Sequence, residues 1–154
     1  VSGRKCRRTY TATHFTVQHL AGACSMTTLT LTELYTADDG HARFRDLPVA
    51  LSEGSPAARL SRWMASGGCQ FRHSPVGFAS DFHCTGTPQW LVVLQGRMEI
   101  GLRDGTARVF GPGECFYSND TLPAGARFDP AVHGHRSRLL GDDPLVTLFV
   151  RATG

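Results

Sequence analysis

From Thr28 to Leu34 the chain alternates polar and apolar residues, Thr28-Leu29-Thr30-Leu31-Thr32-Glu33-Leu34. A period of two is the pattern of a half-buried strand. Asp38-Asp39-Gly40 follows as a turn. Phe44 to Leu51 reads as extended, because Pro48 would break a helix there. Glu53-Gly54-Ser55-Pro56 is loop chemistry, and Arg59 to Ala65 alternates again. Gly67-Gly68 is expected to break that strand. Cys69 to Ser74 and Ala79 to His83 read as two short strands around Pro75-Val76-Gly77.

The clearest pair of strands is Gln89 to Leu94 and Arg97 to Arg103, joined tightly at Gln95-Gly96. Asp104-Gly105 predicts a type I′ hairpin turn, since both residue types tolerate positive φ. Thr106 to Phe110 returns, and Pro112-Gly113 turns the chain into Glu114 to Ser118. Leu122 to Val132 contains three Ala, two Pro and a Gly and reads as a loop excursion. His135 to Leu140 and Leu145 to Val150 are the last two strands, separated by Gly141-Asp142-Asp143-Pro144. Short strands with turn signals at this spacing predict an all-β sandwich or barrel.

Composition narrows the picture in three ways. A chain of 154 residues is one domain by length, and no apolar run approaches the roughly 18–20 residues that span a membrane. The net charge of +3 is misleading: Arg4, Lys5, Arg7 and Arg8 face no acid within residues 1–25, so residues 26–154 carry −1. The body therefore has no basic stripe for nucleic acid. We read residues 1–25 as a basic leader with little to bury, expected to be disordered or not native, and residues 26–154 as a single domain. Five cysteines at irregular spacing, with no CxxC pair, are expected to be free thiols in a reducing compartment, hence a cytoplasmic location.

The candidate chemistry lies in two stretches. Asp81-Phe82-His83 is followed by Gln89, then by an apolar strand ending at Gly96. Downstream come Gly111-Pro112-Gly113-Glu114, Asn119-Asp120-Thr121 and Gly134-His135. These stretches resemble the two motifs of the cupin superfamily. Gly77, His83, Thr85, Gln89 and Gly96 fill the places of the first motif, and Pro112-Gly113-Glu114 with His135 fill the second. The resemblance covers about residues 29–152 and implies an all-β double-stranded β-helix, the jelly-roll cupin barrel. It also implies a site for a divalent transition metal (Fe, Mn, Ni, Cu or Zn) held by His83, Gln89 and His135, with Asp120 or His133 as fourth ligand. The chain departs from the family pattern where Thr85 replaces the second histidine and Gln89 the glutamate. Leu122 to His133 looks like an insertion before the last histidine.

An amide oxygen brings no charge, so this donor set neutralises a dication less than the family's does. A metal-free alternative pairs His83 and His135 with Gln89 and Asp120 in a buried polar network. Alternation along Gln89-Leu94 predicts Gln89, Leu91 and Val93 facing inward and the apolar Trp90, Val92 and Leu94 facing outward. Either Met98 or Glu99 would line the next strand. The outward set needs cover, from the N-terminal strands or from a second subunit, as in a homodimer. Cys84 is expected to point away from His83, which removes a Cys/His nucleophilic pair. His41 and His73 read as surface histidines, and no phosphate loop or nucleophile elbow is present. Three functions are compatible with these residues: a metal-dependent enzyme of lyase, isomerase or dioxygenase type, a metal-free small-molecule binding or sensor domain, and an interaction module with a vestigial pocket.

Overall fold

The computed structural model of the chain describes residues 17–19 and 27–153. Its strands are β1 (Val17–His19), β2 (Thr27–Thr36), β3 (Ala42–Leu51), β4 (Glu53–Ser55), β5 (Ala58–Leu60) and β6 (Ser66–Ser74). After the mouth segment come β7 (Gln89–Gln95), β8 (Arg97–Gly101), β9 (Ala107–Phe110), β10 (Cys115–Asn119), β11 (Arg136–Leu140) and β12 (Leu145–Ala152). The large sheet runs β1-β2-β10-β7-β12-β6, with β3 on the other side of β2. The small sheet is β11-β8-β9, and β4 and β5 form a hairpin of their own. No helix among the described residues is long and apolar enough to cross a membrane. Most of residues 1–25, the expected leader, lies outside the described residues; Val17–His19 pairs antiparallel with Thr27–Leu29.

The all-β jelly-roll arrangement is present as two sheets facing each other across one core. Alternation builds that core. Leu91 and Val93 from β7, Phe116 from β10 and Leu145 from β12 meet Met98 and Ile100 from β8 and Phe110 from β9. The rings of Phe110 and Phe116 pack at 4.5 Å between centroids. Met98 is the inward residue on β8, while Glu99 faces out and pairs with Arg138 at 2.7 Å. The chain changes sheets at Gln95-Gly96, so one continuous stretch supplies both walls of the core.

Four local expectations are corrected. Ala79 to His83 is not a strand: it touches the sheet only through single bridges, Ala79 to Arg138 and His83 to His135. Gly67-Gly68 does not end a strand but lies inside β6, where β12 offers backbone partners across a bulge between Val150 and Ala152. Of Arg59 to Ala65, strand β5 takes only Arg59 and Leu60, paired with β4. The Asp104-Gly105 hairpin uses a different turn from the one expected. Gly105 N–H bonds Leu102 O at 3.3 Å, and Leu102 N–H bonds Thr106 O at 2.8 Å. The loop thus has three residues, Arg103 to Gly105, and Gly105 at φ +87° supplies the bulge that a type I turn needs to rejoin right-twisted strands. Asp104 Oδ1 caps it by accepting from Thr106 N–H at 2.8 Å.

The two edges of the large sheet differ. β3 exposes Arg43, Arg45, Asp46 and Pro48, the charges and proline that discourage edge pairing. β6 exposes Gly67, Gly68, Cys69, Gln70 and Phe71 and offers little such protection.

Phe116 is 1% exposed, and Phe116→Ala is expected to lower stability by about 3–5 kcal/mol in urea or guanidinium unfolding. Trp63 is 98% exposed, and Trp63→Ala is expected to change stability by no more than about 0.5 kcal/mol in the same measurement. Equal effects would mean that the core does not lie between these two sheets.

Candidate functional site

The site lies at one end of the sandwich, between the irregular segment after Pro75 and the strands β7, β10 and β12. Direct cross-strand partners share a face. Ser118 on β10, Gln89 on β7 and Arg151 on β12 therefore form one inward row. Phe116, Leu91, Phe149 and Gln70 form the next row, and Val93, Thr147 and Arg72 the third. From these rows Ser118, Gln89, Phe116, Leu91, Phe149 and Arg72 line a cavity of about 160 Å³. His83, Cys84, Thr85, His135 and Ser137 complete its wall.

The two histidines meet through their backbones. His83 N–H donates to His135 O at 2.9 Å, and His135 N–H donates to His83 O at 3.0 Å. Their rings lie 4.7 Å apart, centroid to centroid. Gly134 makes this approach possible. It has φ +87°, and a Cβ there would stand 2.5 Å from the carbonyl oxygen of His83. Any side chain would push the two segments apart.

Each ring is held by its Nδ1. His135 Nδ1–H donates to Asp120 Oδ2 at 2.8 Å, and His83 Nδ1–H donates to the Asp81 carbonyl at 2.9 Å. The acceptors are a carboxylate and a carbonyl, so both rings carry their proton on Nδ1 and keep Nε2 as an acceptor. Asp120 is completely buried. Its Oδ1 lies 2.8 Å from the Thr36 hydroxyl, which is also 2.8 Å from Thr121 O. Its own carbonyl accepts from Thr85 N–H at 2.7 Å. Burial lowers the pKa of His135, and the neighbouring His83 adds to that, against the opposing pull of Asp120.

Of the residues expected from sequence, His83, Gln89 and His135 line this one cavity. Asp120 stands behind His135, with its two carboxylate oxygens taken up by His135 and Thr36. His133 lies in the excursion before the site. Its Nδ1 accepts from Asp129 N–H at 2.9 Å, and its ring packs near Phe128 and Gly40. Cys84, expected to point away, shares the cavity wall with His83, because the segment is not a regular strand and alternation does not hold there. Burial pushes its thiol up to about 11, so it stays protonated and is no nucleophile. Cys69, Cys84 and Cys115 are all free. Thr85, in the place of the family's second histidine, is buried with its hydroxyl 2.6 Å from that of Ser118.

Arg72, Phe149, Ser118 and Ser137 were not singled out from sequence. Arg72 alternates with Gln70 and Ser74 along β6, and the structure buries Ser74. Without the partner strand, the inward face of that segment could not be chosen. His73, its neighbour, is exposed on the opposite face, as expected of a surface histidine.

Among the described residues no three His, Cys, Asp or Glu side chains converge. The cavity offers a dication two imidazoles, an amide and the Cys84 thiol, no carboxylate lines it, and Arg72 stands on its wall. That donor set brings a dication no negative charge, and Arg72 adds a positive one beside it.

Comparisons with known proteins find distant structural neighbours. The chain is similar to the cupin domain of Cnp3 from Schizosaccharomyces pombe, with 12% identity, a TM-score of 0.42, and 82% of this chain and 84% of that one covered. It is also similar to an HTH_3 family transcriptional regulator from Vibrio cholerae, with 16% identity and a TM-score of 0.30. The match covers 84% of this chain and 52% of the regulator, so the chain spans about half of that protein's length. No family model matches the chain, and no curated protein does. At these scores neither structural neighbour informs the chemistry of the cavity.

The burial of neutral His135 has a signed consequence. Its folded pKa lies below the ordinary imidazole value of 6.5, so the unfolded chain binds the proton more readily. Its contribution to stability is complete above 6.5 and is lost as pH falls through the folded value. Nitrogen-detected NMR should show His135 as the neutral Nδ1–H tautomer at pH 6.5, with the charged form appearing only at lower pH. A ring already charged at pH 6.5 would contradict the geometry.

Proposed function

We propose that the chain is a metal-free small-molecule binding domain whose ligand sits between the two sheets, against His83, Gln89 and His135. The observation that carries this reading is the commitment of Asp120. The carboxylate behind the paired histidines does not line the cavity and bonds the His135 ring and the Thr36 hydroxyl, which supports an orienting role for it. What faces the cavity is a mixed lining, with Leu91, Met98, Ile100, Phe116 and Phe149 beside the polar Arg72, His83, Thr85, Gln89, Ser118, His135 and Ser137. An apolar patch beside convergent polar groups suits a polar organic ligand. Two oriented imidazole acceptors would fix the direction in which such a ligand lies.

The test is a titration with small organic fragments followed by amide NMR. Binders are expected to shift Thr85, Leu91 and Ser118, and Leu91→Trp, which fills the cavity, is expected to abolish those shifts. In parallel, Fe(II), Mn(II), Ni(II), Cu(II) and Zn(II) are expected to give no thermal stabilisation. A stoichiometric metal retained through purification and lost in both His83→Ala and His135→Ala would sink the reading and restore the metal-dependent enzyme.

We also propose a homodimer. The outward row Phe71, Leu148, Val92 and Cys115 runs across four adjacent strands, flanked by Trp90 against Tyr117 at 4.9 Å. Phe71 is 68% and Leu94 44% exposed. A second copy packed on this face would bury it. Sedimentation equilibrium is expected to give a dimer that Phe71→Arg dissociates; a wild-type monomer at high micromolar concentration would refute it.

A further inference from the structure

The cavity is not closed. It shares Arg72, Gln89 and Phe149 with an outer groove of about 610 Å³ along β6. The groove has two guanidinium groups on its walls, Arg72 and Arg151, and no carboxylate. Gly67 and Gly68 leave it wide at its far end. The two spaces adjoin at Arg72, Gln89 and Phe149, which line both and form the throat between them.

Arg72 is held in an unusual state at that throat. Its guanidinium lies against the rings of Phe78 and Phe149, at 4.8 and 5.0 Å from their centroids. Its Nε–H is buried and has no acceptor. Among the described residues no carboxylate pairs with it. Stacked aromatic faces fix the plane of a guanidinium and leave its edge to donate. Burial lowers its pKa, as happens to a cation without a counter-charge. A half-buried cation with an unpaired donor is costly unless something supplies a counter-charge. Across the row, Gln89 stands directly opposite Arg151, so a second cation and an amide donor flank the same throat.

The inner end has the opposite requirement. His83 and His135 both carry their protons on Nδ1, so their Nε2 atoms accept hydrogen bonds and need a donor. We infer that groove and cavity together bind a small hydroxy-carboxylic acid, its carboxylate on the edge of Arg72 and its hydroxyl directed at the paired histidines. The inference rests on the metal-free reading of the cavity and adds the charge and polarity of the ligand. Carboxylate is favoured because a planar guanidinium edge matches it with two parallel hydrogen bonds.

The experiment compares matched pairs by calorimetry and ligand-observed NMR: lactate, 3-hydroxybutyrate and 4-hydroxybenzoate, each against its carboxamide, with inorganic phosphate as competitor. At least one acid is expected to bind about tenfold or more tightly than its amide, as loss of a charge-assisted pair predicts. Arg72→Met is expected to erase that preference, and Arg151→Met to reduce it. Removing the hydroxyl, benzoate for 4-hydroxybenzoate, is expected to weaken binding in wild type but not in His83→Phe. Acids and amides binding alike would overturn the carboxylate assignment while leaving the small-molecule site intact. Displacement by phosphate at equal concentration would overturn carboxylate in favour of phosphate. Binding of none of the acids, while other fragments still shift Thr85 and Ser118, would overturn the hydroxy-acid class alone; loss of every fragment would take the site with it.

Discussion

The geometry of the cavity depends on one buried carboxylate. Asp120 lies completely inside the protein and is tied at three points: to Thr36 on β2, to the His135 ring ahead of β11, and through its carbonyl to Thr85 N–H. The parallel β2–β10 ladder ends at Tyr35 and Asn119, beside the Thr36–Asp120 contact, while the His135 and Thr85 stretches reach Asp120 without a continuous ladder. A buried carboxylate must be hydrogen-bonded or it will not remain charged in the interior. Meeting that requirement brings these stretches together, and the backbone pair between His83 and His135 then closes the mouth. The polar site and the fold's end are therefore one construction. The ring orientations that make Nε2 available are a by-product of satisfying Asp120 and the Asp81 carbonyl.

Strands that bury one face were legible in the sequence, because their period of two follows from side chains alternating across a pleat. β2, β7, β10 and β12 fall close to their expected places for this reason, and Met98 proves to be the inward residue on β8. The segments that misled are those whose conformation is set by long-range partners. Ala79 to His83 has a strand-like composition, yet it finds only two bridging partners and runs as a connection. Gly67-Gly68 looks like a break, but β12 supplies a ladder that carries the strand through it. The positions of His83, Gln89 and His135 were legible from motif spacing. The role of Asp120 was less so, since whether a carboxylate coordinates or orients depends on where its two oxygens point. Arg72 was out of reach because the inward face of β6 is defined only by β12.

The two departures from the cupin pattern acquire a physical sense in this setting. Thr85 puts a hydroxyl where a ligand ring is expected, and that hydroxyl pairs with Ser118 inside the wall at 2.6 Å. Gln89 places a neutral amide in the same inward row as Ser118 and Arg151. A glutamate there would sit beside Arg151 and near Arg72, and would tend to pair with a guanidinium at the throat. The amide leaves both cations free. The substitutions therefore act in one direction, replacing groups that attract a dication by groups compatible with a positive throat.

Charge balance carries this one step further. Around the cavity the acid is Asp120, and its hydrogen-bond partners are neutral: a hydroxyl and an imidazole held uncharged by burial. Its negative charge lies behind the ring, on the far side from the open space. The positive charges of Arg72 and Arg151 lie on the open side. A site so divided has its field directed along the long axis of the joined groove and cavity, positive at the throat and hydrogen-bond accepting at the inner end. A dication would have to pass the first and then find no charge at the second, whereas an anion with a donor at its other end meets a complementary group at both.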